Sequence, residues 1–148
     1  MTDRKIDGLN LGILGGGQLG KMLIQEAVDY NINCFTLDPD ADAPCAKLAH
    51  TFTQGSLKEY DSVYNFGKDK DLLTIEIENV NADALSSLEK EGVKVYPQPS
   101  IIKLIQNKQL QKQFFADHKI PTSPFVLTKN RQDTLENEAM YRAVHKVA

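Results

Sequence analysis

The sequence predicts an α/β protein built on a Rossmann-like, doubly wound parallel sheet, and three observations carry that expectation. Short apolar runs alternate with segments whose apolar residues recur at helical spacing. A glycine-dense run, Gly15-Gly16-Gly17-Gln18-Leu19-Gly20, follows the first apolar run and opens the first helical segment. The spacing of strand and helix patterns suits parallel strands joined by right-handed crossovers.

Each element follows in order. Leu9 to Leu14 reads as a buried first strand ended by glycines. Leu19, Met22, Leu23, Ala27 and Tyr30 then lie at helical spacing, and the helix ends near Asn31. Ile32 to Asp38 (INCFTLD) is the second strand, stopped by Asp38-Pro39, and the proline- and aspartate-rich PDADAPC is a loop. Thr51 to Thr53 suits a short third strand, and Tyr60, Val63 and Tyr64 a helix ending at Gly67. Leu72 to Ile77 is a fourth strand. Asn81 caps a helix carrying Leu85 and Leu88, with Gly92 at its end. Val93 to Tyr96 is a fifth strand, closed by Pro97 and Pro99.

Past Pro99 the pattern changes. Ser100–Gln106 and Lys108–His118 read as helices, Phe125-Val126-Leu127 as one more strand, and Leu135–Val144 as a helix. The expected organisation is a Rossmann-like domain over residues 1–97, connecting helices over 98–118, and the opening of a second, truncated domain over 119–148.

Composition narrows the function classes. Of 148 residues, 41% are hydrophobic, enough for a packed core. A net charge of −3 lacks the basic field of a general nucleic-acid binder, so no nucleic-acid partner is expected. No run nears the ~18 apolar residues of a membrane span, and MTDRKIDG has no signal-peptide core. Cys34 and Cys45 form no metal-ligand pattern and read as reduced thiols of a cytoplasmic protein. No metal site, catalytic triad or histidine pair emerges among His50, His118 and His145.

Three stretches carry chemistry. Gly15 to Gly20 satisfies G-x-G-x-x-G between a strand and a helix, where free amides and the helix dipole favour a phosphate, with Lys21 in the first turn. A ligand-free tight turn is the alternative. Asp38, at the end of the second strand, stands where a dinucleotide fold keeps its ribose-binding acid, and equally suits a simple Asp-Pro turn. In LLTIEIEN, strand alternation puts Glu76 and Glu78 on one face at a strand end, costly unless they meet water, a cation or a ligand amine. The alternative is a solvated strand end. Lys103, Lys108 and Lys112 suit a solvated helix face.

Four blocks in order, GGGQLGKML, LDPD…APCAKLA, LLTIEIENV and VYPQPSIIKLIQNKQLQKQFFADHKIPTSPF, give the chain a resemblance to a known family over about residues 9–127. It resembles the N-terminal part of the 5-(carboxyamino)imidazole ribonucleotide synthases, the ATPase subunits of phosphoribosylaminoimidazole carboxylase in the ATP-grasp superfamily. The resemblance implies a pre-ATP-grasp domain followed by the first elements of an ATP-grasp domain. It implies ATP and Mg2+ as cofactors, bicarbonate and aminoimidazole ribonucleotide as substrates of a ligase in purine biosynthesis, and a homodimer.

Carried over residue by residue, the turn Gly15, Gly16, Gly17, Gln18, Leu19 and Gly20 holds the ribonucleotide, its 5′-phosphate near Gly17-Gln18-Leu19. Glu76 and Glu78 match an acidic strand end that orients the amine or ribose, and Lys108 a basic residue contacting ATP. The family's nucleotide loop, magnesium carboxylates and catalytic residues are expected after residue 148, so the stretch alone is expected to be inactive. A cofactor domain of an NAD(P)-dependent dehydrogenase and a non-catalytic nucleotide-binding module remain the alternatives.

Overall fold

The structure, a computed structural model, describes residues 7–137, which fall into two compact units divided between Ile102 and Lys103. The first unit holds β1 (Asn10–Leu14), α1 (Gln18–Val28), β2 (Asn33–Asp38), β3 (Thr51–Gln54), α2 (Tyr60–Gly67), β4 (Leu72–Ile75), α3 (Ala82–Lys90) and β5 (Lys94–Val95). Helix α4 (Pro99–Gln106) starts in it. The five strands form one parallel sheet in the order β3-β2-β1-β4-β5. That order reverses between β1 and β4, the topological switch point of a doubly wound sheet.

Both faces of the sheet are covered, which is why its central strands read as continuous apolar runs. Alternate residues of β1 face opposite ways. Leu11 and Ile13 join a cluster with Ile24 and Ala27 of α1, while Leu14 joins Val63, Phe66, Leu85 and Leu88 of α2 and α3. Gly67, the last residue of α2, lets that helix close on its neighbours: a Cβ there would lie 2.6 Å from Leu88 Cδ1 and 2.7 Å from Leu73 Cδ1. Asn81 caps α3, its Oδ1 accepting from Ala84 N at 2.8 Å. Past the helix end Gly92 adopts φ +100°, a left-handed conformation that glycine enters without a Cβ clash.

Three expected strands differ from those observed. β4 stops at Ile75 rather than Ile77, because residues 76–78 bend away after one last ladder bond, Glu76 N to Leu14 O at 2.8 Å. β5 is only two residues long. Phe125-Val126-Leu127 belongs to no strand: an extended apolar segment becomes one only by pairing, and no described strand of its own unit pairs with it.

The second unit, described by itself, holds α5 (Lys108–Asp117) and α6 (Arg131–Glu136). Asn107 caps α5, accepting from Leu110 N at 3.0 Å, and Asn130 caps α6 in the same way through Asp133 N. Most of the helix expected over Leu135–Val144 lies outside the described residues.

Candidate functional site

The glycine turn leaves β1 beside the reversal of strand order, at the carboxyl edge where open α/β sheets take their ligands. Its first two amides are already engaged. Gly15 N donates to Leu37 O at 2.9 Å and Gly16 N to Asp38 Oδ2 at 2.6 Å. Gly15 has φ +103°, so the chain reverses there in a conformation that disfavours any side chain.

The next four amides differ. Gly17 is the N-cap of α1 and makes no side-chain cap bond, and the first helical bond runs from Lys21 N to Gly17 O at 3.0 Å. The N–H groups of Gly17, Gln18, Leu19 and Gly20 therefore have no partner among the described residues. A helix start leaves such orphan donors together with the positive end of its dipole, a pairing suited to an anion. Gln18 and Leu19 are exposed, Gly17 half-buried and Gly20 buried.

Two carboxylates flank this turn. Glu76, half-buried at the end of β4, packs directly on it: a Cβ on Gly17 would lie 2.5 Å from Glu76 Oε1, and one on Gly15 3.0 Å from Oε2. Ile77 also reaches Gly15, its Cγ2 lying 3.2 Å from such a Cβ. Glu78 is exposed, so the shared face expected for the two glutamates ends with the strand ladder at Ile75. Asp38 uses both oxygens within the chain, Oδ2 for Gly16 N and Oδ1 for Asp40 N at 2.8 Å. That is the turn reading of Asp38, and it leaves the side chain bracing the glycine loop.

Beneath the turn lies Cys45, fully buried, which sequence reading placed only as a reduced thiol. Its N–H donates to Gly16 O at 3.0 Å and its thiol to Gly17 O at 3.6 Å. Burial pushes this thiol above 9.0, with the Glu76 and Asp38 carboxylates adding to the effect. Thr36, also buried, has a hydroxyl without a hydrogen-bond partner at ordinary distance; its nearness to the sulfur acts the other way without offsetting burial. The APC a few residues after the strand-end Asp38 was the available signal for this buttress.

Lys108 belongs to the second unit. It opens α5 half-buried, and its Nζ donates to Ile105 O at 2.9 Å. Lys112 Nζ donates to Thr122 Oγ1 at 2.7 Å and lies 5.5 Å from the centre of the Phe125 ring, so it is not a purely solvated charge. Among the described residues no group of three or more His, Cys, Asp or Glu is placed to hold a metal ion, and no helix is long and apolar enough to cross a membrane.

Comparison with known proteins agrees with this fold. The chain is 36% identical over 137 residues to a chloroplastic phosphoribosylaminoimidazole carboxylase of Vigna aconitifolia, covering 90% of this chain and 25% of that protein. It is 33% identical to an N5-carboxyaminoimidazole ribonucleotide synthase of Staphylococcus epidermidis, covering 87% of this chain and 34% of that one. The chain thus spans about a quarter to a third of the length of these curated relatives.

Among solved structures, N5-carboxyaminoimidazole ribonucleotide synthetase of Thermotoga maritima superposes with a TM-score of 0.79 at 29% identity, over 87% of this chain and 36% of that one. N5-carboxyaminoimidazole synthase of Aspergillus clavatus, solved with ADP and 5-aminoimidazole ribonucleotide, gives 0.78 at 32% identity, over 91% and 37%. Residues 9–106, two thirds of the chain, match the family profile of the ribonucleotide synthetase pre-ATP-grasp domain. With the reversed strand order and the open helix start at its switch point, the chain belongs to the ribonucleotide synthetase pre-ATP-grasp domain family.

Proposed function

We propose that this chain forms the ribonucleotide-side part of an ATP-dependent ligase that carboxylates 5-aminoimidazole ribonucleotide with bicarbonate in purine biosynthesis. The observation that carries the reading is the row of unpartnered amides from Gly17 to Gly20 beside the half-buried Glu76 carboxylate. Amides and a helix dipole suit the 5′-phosphate, and a carboxylate suits the exocyclic amine or a ribose hydroxyl. Gly15 and Gly16 serve the same site through their shape and their internal bonds rather than by donating to the ligand. Glu78 is exposed beside this edge and is proposed as the more peripheral of the two acidic residues.

The relatives support the choice of ligand, since one was solved with ADP and 5-aminoimidazole ribonucleotide together. ATP is proposed to meet the chain at Lys108 as residues 119–148 open an ATP-grasp domain. Magnesium ligands are proposed to lie in the part of the relatives that this chain does not span. A homodimer in the cytoplasm completes the proposal.

Calorimetric titration of the chain with 5-aminoimidazole ribonucleotide, and separately with NADH, tests the reading. Binding of the ribonucleotide without binding of NADH is expected. NADH binding by the parent chain, without binding of the ribonucleotide, would replace the ligase reading with a dehydrogenase cofactor domain.

A further inference from the structure

The hydrogen bonds behind the glycine turn close into a frame, and one side chain holds two of its corners. Asp38 takes Gly16 N on one oxygen and Asp40 N on the other. The loop then folds back, with Ala43 N on Asp40 O at 3.1 Å, until Cys45 places its N–H on Gly16 O and its thiol on Gly17 O. Both polar groups of the Gly16 residue thus end on the chain leaving β2. The frame is tight as well as bonded: a Cβ on Gly16 would lie 3.1 Å from Asp38 Cβ and 3.0 Å from Ala43 Cβ.

We propose that Asp38 is a positioning residue for ligand binding at the glycine turn, acting through the Gly16 amide and not by touching the ligand. The inference rests on the ribonucleotide reading above. Each free amide from Gly17 onward belongs to a peptide plane whose direction is inherited from the plane before it. Fixing Gly16 N by a charge-assisted bond fixes where the row begins. Donors aligned before the ligand arrives lose less conformational freedom when it binds. Without the carboxylate, Gly16 N is unpaired and the row must be ordered by the ligand itself.

The test uses the 148-residue chain as Asp38→Ala, Asp38→Asn and Leu88→Ala, titrated with 5-aminoimidazole ribonucleotide well below each melting temperature. Leu88 is buried against Gly67, outside the frame, and serves as the control for lost stability. Asp38→Ala is expected to weaken binding about tenfold or more, the scale of one charge-assisted hydrogen bond. Asp38→Asn keeps one oxygen for Gly16 N but loses the charge and the second acceptor, which serves Asp40 N, and should recover part of that loss. Leu88→Ala should melt earlier yet bind as the parent does.

Relative to core amides of the same variant, amide exchange at Gly16 should quicken in Asp38→Ala and not in Leu88→Ala. Unchanged affinity in Asp38→Ala, or an Asn variant no better than the Ala variant, overturns the proposal while leaving the ribonucleotide reading intact. A parent chain that binds no ribonucleotide overturns both. If Asp38→Ala does not fold, Asp38→Ser, shorter and with a single acceptor, replaces it: a comparable loss supports the proposal and parental affinity overturns it.

Discussion

Glu76 rests its carboxylate on the bare Cα of Gly17, so close that a methyl group there would stand 2.5 Å from Oε1. The backbone of Gly17 itself is ordinary, φ −71° and ψ −166°, a conformation open to any residue. Gly17→Ala therefore adds no strain, and the atom it displaces is the far end of a flexible side chain. Stability should change by no more than about 1 kcal/mol, because glycine is the better N-cap while alanine is the less flexible residue in the unfolded chain. Affinity for the ribonucleotide should fall, because the carboxylate can no longer occupy its place. A titration showing parental affinity with a parental melting temperature would remove Glu76 from the site.

Gly67 gives the opposite balance. Alanine is the better helix former by about 1 kcal/mol in a helix interior, less at the last residue. Yet its methyl would press on Leu88 Cδ1 and Leu73 Cδ1, both packed in a closed core. Overpacking of that kind costs about 1–3 kcal/mol and outweighs the propensity gain. Urea unfolding of Gly67→Ala should show a lower midpoint with an unchanged slope, and ligand affinity should stay as it was.

Much of the fold was legible because its signals are local. Leu11, Ile13 and Leu14 announce a strand covered on both sides, and Asn81 and Gly92 mark both ends of α3 within a few residues. The site was legible only as far as the same kind of signal reached. The glycine turn was visible, but the bond from Gly16 to Asp38 spans 22 residues and the one from Gly16 to Cys45 longer still, so the engaged and free amides were indistinguishable. Glu76 and Glu78 were paired by extending strand alternation three residues past Ile75, where the strand ends. Phe125 to Leu127 had the composition of a strand, and composition says nothing about a pairing partner.

The two cysteines make a prediction at alkaline pH. Burial raises both thiols above 9.0 in the folded chain, and for Cys45 the Glu76 and Asp38 carboxylates act in the same direction. Above pH 9.0 the unfolded chain sheds these protons while the folded chain keeps them, so the folded state binds more protons and stability falls as pH rises. Below that point the cysteines contribute no slope. Denaturant midpoints from pH 8 to 10.5 should decline more steeply for the parent than for Cys34→Ala/Cys45→Ala. Parallel declines would mean that the thiols ionise in the folded chain as freely as in the unfolded one.

Asn81 joins two functions that a pair of substitutions can separate. Its Oδ1 caps α3 through Ala84 N, and its Nδ2 donates to Lys58 O at 2.9 Å, tying the helix start to the loop before α2. Asn81→Ala removes both, and loss of the cap alone is worth about 1 kcal/mol. Asn81→Asp keeps the acceptor and adds a charge favoured at a helix N-terminus, but forfeits the donor to an exposed carbonyl that water can satisfy. Thermal unfolding should therefore place Asn81→Asp near the parent and Asn81→Ala clearly below it. If the two variants melt together, the bond to Lys58, and not the cap, holds this end of α3.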